Sequence, residues 1–565
     1  MKLDFRPKLF DTLPGYSRAT FVGDLSSGIT VGVLALPLAM AFAIASGMSP
    51  TAGIWTAIVA GFLIAFLGGS KVQIGGPTGA FVVIVAGIVA KFGYAGLAIA
   101  TIMAGALLVA MSIARLGNVI KFIPYPVIIG FTSGIAIIIA MGQLGDALGL
   151  PGGEAPAHFW PRCLYYIRSL PSTNLTAAAI CLGSVIITRQ WSRVTARVPG
   201  PLVALLLTTV IVRVFELPVD TIGSRFGEVP TGLPKPSLPH FDFSQLGALF
   251  SPALSIALLG AIESLLSAMV ADGMIGGRHR ANAELMGQGI ANLVVPFFGG
   301  IPATGAIART ATNVKNGGRS PIAGIVHALT LLLILMVAGK WAAYIPLATL
   351  AGILLVVAYN MSEWRVFRQL LRSPRGDVLV LLSTFVLTVV VDLNVAIQVG
   401  MVLSSVLLML RMAEVTQVRA VRDALDYETA PGDPATPVEL PPEVAVFEIN
   451  GTFCFGAARS FTETLQADRR RPRVVILRMR HVMAIDATGL HALEDVRNRL
   501  RQQGAELLLS GVHAQPLAAM TRAGAVQHIG IDHMFSTFPD AVEHARELLA
   551  RGHPAEPVAE PGDHR

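Results

Sequence analysis

Charged residues are scarce in this sequence of 565 residues. Asp, Glu, Lys and Arg make up 14% of the chain, whereas soluble globular domains contain about 25%. The range 29–69 contains no charged residue, and about 20 consecutive apolar residues are enough to cross a bilayer. These runs exclude a large soluble enzyme with an unusually apolar core, and they predict a protein embedded in a lipid bilayer.

Cysteine is scarce too, and no motif for nucleotide binding is present. Cys163, Cys181 and Cys454 lack the spacing of a disulfide framework or a zinc site, so neither a metal site nor a cofactor is predicted. An ion gradient, and not ATP, is the expected source of energy. The formal net charge of +7 does not indicate a nucleic-acid partner, because the basic residues lie between hydrophobic segments, where they act as topology signals.

Composition divides the chain into five ranges. Residues 1–20 form a polar N-terminus, and 21–411 alternate apolar runs with short loops. A proline-rich linker at 412–442 leads to a soluble domain at 443–552. A disordered tail is predicted for 553–565.

The apolar region contains about twelve full-length hydrophobic runs and two shorter, interrupted ones. Basic residues mark alternate loops, near Arg115, Arg193, Arg278 and Arg368. By the positive-inside rule both termini are cytoplasmic and the number of spans is even. We therefore expect a multi-pass protein of the bacterial inner membrane with fourteen spans.

Two short motifs recur along the chain at one offset. Gly-Met at 47–48 recurs at 273–274, and Thr-Gly-Ala at 78–80 recurs at 304–306. Both offsets are 226 (273 − 47 and 304 − 78). Two duplicated halves of seven spans each would be inverted relative to one another, because seven is odd.

Glycine and proline interrupt two apolar runs, at 72–80 and 299–309. Each predicts a short extended stretch and then a half-helix, with proline suited to the first turn and Thr78 or Thr304 placed to cap free N–H groups. Two helix N-termini that face each other inside the membrane predict an anion site. Glycines that only permit tight helix packing are the alternative, which does not explain the paired Pro and Thr. The residues assigned to the two starts are Thr78, Gly79, Thr304 and Gly305.

Two charged residues accompany these segments. Arg309, in the second half-helix, is expected to hold the anion. Glu263 is the one charged residue of the apolar range 254–270, and an ionisable residue inside a membrane is a functional candidate. Because burial favours the neutral carboxyl group, Glu263 is predicted to take up a proton as the anion binds. Two alternatives remain open: an ion pair of Glu263 with Arg309, and a Na⁺ site that adds Ser267 from the same helix face.

Several motifs resemble the SulP family of anion permeases, which includes the animal anion exchangers and prestin. The resemblance covers almost the whole chain, and two further motifs, at 306–309 and 358–363, most resemble the bacterial aerobic dicarboxylate permeases of the DauA type. It implies proton-coupled uptake of a dicarboxylate such as succinate or fumarate, with sulfate or bicarbonate as alternatives. The motifs that carry the family resemblance lie at 260–266, 272–274, 282–285, 287–289 and 299–300.

The resemblance also implies an architecture and a substrate site. It implies seven-plus-seven inverted repeats with core and gate domains, elevator-like movement, a homodimer, and a site on the first, third, eighth and tenth spans. Leu38 and Ala308 stand where some relatives have Gln and Ser, which disfavours chloride or sulfate exchange of the animal type. The positions implied here are Leu38, Phe42, Thr78, Glu263, Ala306, Ala308 and Arg309.

From residue 443 onwards strand-like apolar runs alternate with helical stretches. This α/β pattern resembles the STAS domain of SulP proteins and of anti-sigma-factor antagonists. The range 485–490 matches the antagonists' phosphorylation loop, with Thr488 at the hydroxyl position. Phosphorylation of Thr488, a cytoplasmic protein partner and a simple helix-capping role all stay open. A membrane-anchored STAS signalling protein is the non-transport alternative, although an anchor needs neither half-helices nor an embedded Glu and Arg.

Overall fold

The computed structural model describes most of the chain, which forms two compact units, Met1–Ser404 and Ser405–Arg565. The predicted tail, 553–565, lies outside the described residues. The described residues are 5–118, 124–150, 156, 159–194, 198–227, 232, 236–238, 243–391, 393–421, 440–454, 461, 463–465 and 472–551.

Helices build the first half of the first unit, together with one short strand, β1 (Gly75–Gly76). Local signals fix their starts: the side chain of Ser17 accepts a hydrogen bond from Thr20 N at 3.1 Å, and Pro50 occupies the first turn of the next helix, where no backbone donor is lost. The helices are α1 (Leu9–Thr12), α2 (Arg18–Ala45), α3 (Pro50–Leu67), α4 (Gly79–Ile113), α5 (Tyr125–Ala147), α6 (Phe159–Ser169), α7 (Leu175–Gln190), α8 (Gly200–Val214) and α9 (Ile222–Phe226).

The second half repeats this pattern around a second short strand, β2 (Thr304–Gly305). Its helices are α10 (Leu246–Ile275), α11 (Ala281–Val294), α12 (Ile307–Lys315), α13 (Ile322–Ala338), α14 (Leu347–Met361), α15 (Trp364–Leu370), α16 (Arg375–Val390) and α17 (Leu393–Val415).

Seven described helices are long and apolar enough to cross a membrane, or eight if the bent pair Phe159–Ser172 and Leu175–Gln190 is one span. Helix α4 contains a break at Gly93, whose φ of 64° favours glycine, so it comprises two helical segments. With that break, seven segments belong to α2, α3, α4, α5, α7 and α8, and seven to α10–α14, α16 and α17. Among the described residues this division agrees with the predicted seven-plus-seven arrangement.

Helix packing shows that the two halves are alike, because the main contacts between them have counterparts in which the two halves change places. Helix α2 packs on α13 as α10 packs on α4, and α3 packs on α13 as α11 packs on α4. Likewise α5 packs on α16 as α14 packs on α7. Two groups result, one containing α2–α4 and α10–α13, the other α5, α7, α8, α14 and α16. Small residues permit the close packing: a Cβ on Gly53 of α3 would lie 1.9 Å from the carbonyl oxygen of Ala39 in α2.

The second unit is an α/β domain with a five-stranded sheet in the order β3-β4-β5-β6-β7. Strand β3 pairs antiparallel to β4, and the other pairs are parallel. Apolar clusters cover both faces of the sheet, which explains its nearly continuous apolar strands. The strands are β3 (Gln417–Val421), β4 (Val444–Phe453), β5 (Val474–Ile485), β6 (Glu506–Ser510) and β7 (Met534–Phe535), and the helices are α18 (Ala487–Gln502), α19 (Ala514–Arg522), α20 (Ala525–Ile529) and α21 (Phe538–Arg551).

Regular structure extends into the range predicted as a linker, 412–442. Helix α17 continues to Val415, and β3 follows at Gln417–Val421. The next described residue is Leu440. Strand β3 escaped the sequence analysis because it has only five residues and pairs with a distant partner, β4.

Candidate substrate site

The two interrupted segments meet in a short antiparallel strand pair inside the first unit. Gly75 pairs with Gly305, and Gly76 with Thr304. The φ of 149° at Gly76 is a conformation that residues with side chains rarely adopt. We call the place where β1 and β2 pair the crossing. Because the strands are antiparallel, the helices that follow them, α4 and α12, start near the crossing and run in opposite directions. The predicted pair of half-helices is therefore present.

The pairing register at the crossing differs from the predicted offset of 226 between the repeats, and the hydrogen bonds of Thr78 and Thr304 differ from their predicted capping roles. Thr78 precedes α4 as Ala306 precedes α12, which is a spacing of 228 (306 − 78), so Thr304 corresponds to Gly76. The Thr304 hydroxyl donates to the carbonyl oxygen of Gly260 at 2.9 Å, and the Thr78 hydroxyl donates to Glu263 Oε2 at 3.0 Å. The predicted capping roles are wrong, because both hydroxyls bond to α10 instead.

The prolines of the two segments also precede the helices. Helix α4 begins two residues after Pro77, and α12 begins five residues after Pro302. The expectation that proline occupies the first helical turn is therefore wrong. Proline instead helps to keep the segments extended, because it restricts its own φ and disfavours helix at the preceding residue.

Arg309 lies in the first turn of α12 and is 2% exposed. One guanidinium nitrogen, Nη2, donates to the carbonyl oxygen of Pro77, which links α12 to the segment before α4. The other, Nη1, has no hydrogen-bond partner among the described residues, and a Cβ on Gly76 would lie 2.6 Å from it. A buried donor on a cation without a partner is costly, so this nitrogen is suited to receive an anion.

Glu263 lies on α10, half-buried and opposite the start of α4. One carboxylate oxygen accepts the Thr78 hydroxyl. Glu263 and Arg309, both described, do not form an ion pair: the guanidinium bonds to Pro77 instead. The alternative of a structural Glu263–Arg309 pair is therefore not what the structure contains.

The other predicted site residues differ in their placement. Phe42 of α2 is buried, and a Cβ on Gly79 would lie 3.2 Å from its ring. Leu38 lies one turn earlier on α2 and is half-buried, whereas Ala308 is exposed. Phe42, Thr78, Gly79, Glu263 and Arg309 thus surround the crossing. Gly305 and Ala306 complete it, since Gly305 lies in β2 and Ala306 N donates to the carbonyl oxygen of Ile74 at 2.9 Å.

Ser267 is fully buried, one turn beyond Glu263 on α10. Its hydroxyl donates to Thr310 Oγ1 at 3.1 Å, and this oxygen also accepts Ile74 N at 3.1 Å. Ser267 therefore joins α10 to α12 beside the crossing. Among the described residues no group of three or more His, Cys, Asp or Glu side chains could hold a metal ion.

A cavity of about 630 Å³ lies along α10, and none of the predicted site residues is among those that line it. Ile262 and Leu266, on either side of Glu263 in sequence, contribute to its wall. Three cationic side chains, Lys8, Arg278 and Arg280, line the cavity with one carboxylate, Asp272. A cleft with an excess of positive charge raises the local concentration of anions.

Glu284, on α11, was not singled out from the sequence. Its side chain is fully buried. Oε2 accepts hydrogen bonds from the backbone amides of Gly69 at 2.8 Å and Ser70 at 3.0 Å. Oε1 accepts hydrogen bonds from the side-chain amides of Gln73 and Gln288, both at 2.9 Å. It anchors the segment that leads into β1. The rule that found Glu263 would have found it, since Glu284 is the one charged residue in Ala281–Val294.

In the second unit, Thr488 is exposed in the first turn of α18. The helix is capped by Asp486, whose side chain accepts Gly489 N at 2.8 Å. The predicted capping role of Thr488 is wrong, because the residue lies two positions inside the helix boundary. Its exposed hydroxyl leaves phosphorylation as a prediction.

Comparisons with known proteins agree with both units. Residues 21–384, more than half of the chain, match the Sulfate permease family, and 435–541 match the STAS domain. The chain is 42% identical over 523 residues to the putative sulfate transporter YvdB of Bacillus subtilis, covering 92% of this chain and 97% of that protein. It is 35% identical over 458 residues to the bicarbonate transporter BicA of Picosynechococcus sp., covering 78% and 79%.

Two solved structures resemble the fold. The transmembrane domain of a cyanobacterial bicarbonate transporter, BicA, superposes with a TM-score of 0.60 at 31% identity, covering 68% of this chain and 97% of that one. The overall structure of SLC26A9 superposes with a TM-score of 0.85 at 18% identity, covering 96% and 93%. At that identity the second likeness concerns the fold alone.

Proposed function

We propose that this chain, which belongs to the Sulfate permease family of anion transporters, takes up a small oxyanion together with a proton. Arg309 and the starts of α4 and α12 hold the anion, and Glu263 holds the proton. The proposal is one of secondary active transport, in which a gradient supplies the energy. The relatives of this chain are transporters and not enzymes.

One observation carries the proposal: Arg309 Nη1 is buried, with no hydrogen-bond partner in the described part of the chain, at the point where two half-helices start. The helix starts add unpaired backbone donors and partial positive charge. An oxyanion offers several acceptor oxygens in a small volume, so it can bond to the guanidinium and to both helix starts. Such charge-assisted hydrogen bonds are worth about 1.5–3 kcal/mol each.

Glu263 supports coupling through charge. An anion at Arg309 brings a negative charge towards a half-buried carboxylate, and like charges at short distance repel strongly away from water. A proton on Glu263 removes that repulsion. Anion and proton are therefore expected to bind together and to leave together.

The names of similar proteins favour one class of substrate over another. Two curated relatives of high coverage are a putative sulfate transporter and a bicarbonate transporter, which favours an inorganic oxyanion. A dicarboxylate such as succinate or fumarate, implied by the resemblance to the DauA type, remains a prediction. Chemically, the site could bind either class, since one guanidinium and two helix starts recognise oxyanion groups and not the chain between them.

Sodium coupling is the second candidate, and Ser267 favours it. A carboxylate and a hydroxyl one helical turn apart, at Glu263 and Ser267, supply the oxygen ligands that a hard cation prefers. The Ser267 hydroxyl already donates to Thr310, which leaves its lone pairs as ligands. Uptake by the purified protein under a proton gradient or a sodium gradient distinguishes the two coupling ions.

The cellular setting is part of the proposal. We place the protein in the bacterial inner membrane as a homodimer with both termini cytoplasmic, in line with the distribution of basic loops. The STAS domain would then face the cytoplasm, where a protein partner or a kinase for Thr488 could reach it.

Uptake into proteoliposomes tests the proposal. Radiolabelled bicarbonate, sulfate and succinate are offered to the purified full chain under an inward proton gradient, an inward sodium gradient or none. We expect the proton gradient to drive accumulation of at least one oxyanion. Accumulation driven by sodium alone would select the second candidate, and no uptake of any of the three would overturn the substrate class.

Two variants test the roles of the residues. Arg309→Ala should weaken half-saturation at least about ten-fold, the loss of one charge-assisted bond, while Arg309→Lys should retain part of it. Glu263→Gln should abolish accumulation driven by the proton gradient yet keep exchange of labelled for unlabelled anion. Wild-type affinity in Arg309→Ala, or unchanged pH dependence in Glu263→Gln, would remove these residues from the mechanism.

A further inference from the structure

We propose that a crevice between α8 and the helices α2, α3 and α13 binds one anionic phospholipid, with an acyl chain in the crevice and the phosphate on Arg213. This inference rests on a different part of the first unit from the substrate site. It requires neither the proposed substrate nor the proposed coupling ion.

The crevice has a volume of about 580 Å³, within the range of about 300–1,000 Å³ for small-molecule sites. Its wall is almost entirely apolar, with Val33 from α2, Ile54 from α3, Leu205 from α8 and Leu335 from α13. Such a wall offers few hydrogen bonds to a polar ligand. Its chemistry suits a hydrocarbon chain.

The crevice opens towards the bilayer and not towards water. Helix α8 carries Val210 (58% exposed) and Val214 (68% exposed) at the crevice. Apolar residues this exposed on a helix of a membrane unit face lipid. A lipid chain can therefore enter from the side.

Arg213 gives the crevice a charged end. It lies in the last turn of α8, and its guanidinium is 5.0 Å from the centre of the Tyr344 ring. It forms no ion pair with any residue that the structure describes. Arginine binds phosphate oxygens in a bidentate manner, so this cation at the end of an apolar crevice is complementary to an anionic lipid.

Aromatic residues beside Arg213 place this end at the membrane surface. Trp341 (65% exposed) and Tyr344 both line the crevice, and Trp and Tyr are enriched at the level of the lipid headgroups. A phosphate at Arg213 would thus lie at headgroup depth, while the attached chain extends along α8 into the hydrocarbon layer.

The position of the crevice gives the lipid a consequence. Helix α8 belongs to one of the two helix groups, and α2, α3 and α13 belong to the other. A bound chain fills space between them, so its presence is expected to change the rate of any step in which the groups move relative to each other. Anionic lipid should therefore affect the transport rate as well as bind.

Native mass spectrometry of the full chain tests binding, with phosphatidylglycerol and phosphatidylcholine of identical acyl chains as probes. We expect phosphatidylglycerol to bind at least about ten-fold more tightly, Arg213→Gln to remove this preference and Arg213→Lys to retain part of it. Val210→Trp, on the exposed face of α8, should block the crevice and weaken binding without disturbing the buried core.

The chain supplies a matched control. Arg189 of α7 also lies over a tyrosine ring, 4.9 Å from the centre of Tyr359, but it does not line this crevice. Arg189→Gln should leave phosphatidylglycerol binding unchanged. Equal binding of the two lipids, equal losses in Arg189→Gln and Arg213→Gln, or no effect of Val210→Trp would each overturn the proposal in favour of ordinary surrounding lipid.

Discussion

Glu263 and Glu284 are glutamates on consecutive helices of the membrane unit, α10 and α11, but their surroundings differ. Glu284 is fully buried and accepts four hydrogen bonds, two from backbone amides and two from glutamine side chains. Glu263 is half-buried and accepts one, from Thr78. Near Glu263, Arg309 has a guanidinium nitrogen to which no residue that the structure describes is hydrogen-bonded.

The difference teaches how the same residue type can serve structure or transport. A carboxylate that accepts four hydrogen bonds has its acceptor positions occupied, and no room remains for a ligand. A carboxylate with one donor, near a cation with an unfilled donor, can exchange partners during a cycle. The number of satisfied hydrogen bonds, and not the charge alone, separates the two roles.

The largest effect on stability is expected at Glu284. Glu284→Ala leaves the amides of Gly69 and Ser70 buried without an acceptor, and each such group costs about 1–3 kcal/mol. We expect a loss of about 2–6 kcal/mol, measured by thermal unfolding in detergent. Glu263→Ala is the matched control and should lose about 1 kcal/mol or less. Equal losses in the two variants would contradict the comparison.

Glu263→Gln should separate stability from function. The amide can still accept the Thr78 hydroxyl, so we expect the unfolding temperature to stay at or above the wild-type value. The rate of anion uptake should no longer depend on pH, because the residue that exchanges a proton is gone. A pH profile that matches the wild type, recorded with the same proteoliposomes, would assign coupling to another group.

Gly76→Ala should disturb the surroundings of Arg309 Nη1 without removing a charge. A Cβ at Gly76 would lie 2.6 Å from Arg309 Nη1, and the φ of 149° is strained for alanine. We expect about a ten-fold rise in the half-saturating anion concentration. Gly87→Ala is the control, since the added Cβ would lie within 4 Å of no described residue apart from the neighbouring backbone of its own helix. An unchanged affinity in Gly76→Ala would place the anion away from Arg309.

The smallest effect concerns a third carboxylate, Asp486 in the STAS unit, which accepts a single backbone donor. Asp486→Ala removes a helix cap and should cost about 1 kcal/mol, whereas Asp486→Asn keeps the cap. Burial raises the pKa of the Cys454 thiol, and the negative charge of Asp486 raises it further.

Removal of the Asp486 charge therefore has a measurable consequence at Cys454. Asp486→Asn should lower the pKa of the thiol, increase the thiolate fraction near pH 8 and speed alkylation. Mass spectrometry of the modified peptide measures the rate, and Asp495→Asn, at an exposed ion pair further along α18, serves as control. Equal rates in the wild type and Asp486→Asn would contradict this effect of charge.

Local sequence was enough to predict the classes of element. Long apolar runs indicate helices in a bilayer because lipid offers no partner for an exposed backbone, and Gly with Pro indicates where such runs break. In the same way the alternation of strands and helices after residue 443 predicted the α/β unit. Residues that carry a lone charge in an apolar run, Glu263 and in principle Glu284, could be found by the same rule.

Partners across the fold were decided by the tertiary structure. The Thr78–Glu263 bond joins residues 185 positions apart, and Glu284 reaches Gly69 over 215 positions. No local pattern specifies which donors surround a carboxylate at such separations, so the sequence alone placed Thr78 and Thr304 at helix caps and paired the repeats two residues out of register. Composition and motifs thus determined a membrane-embedded anion permease with a STAS domain, because burial and backbone geometry act locally. Only packing decided that Glu284 accepts four hydrogen bonds, whereas Glu263 and Arg309 keep unfilled positions with respect to the described residues.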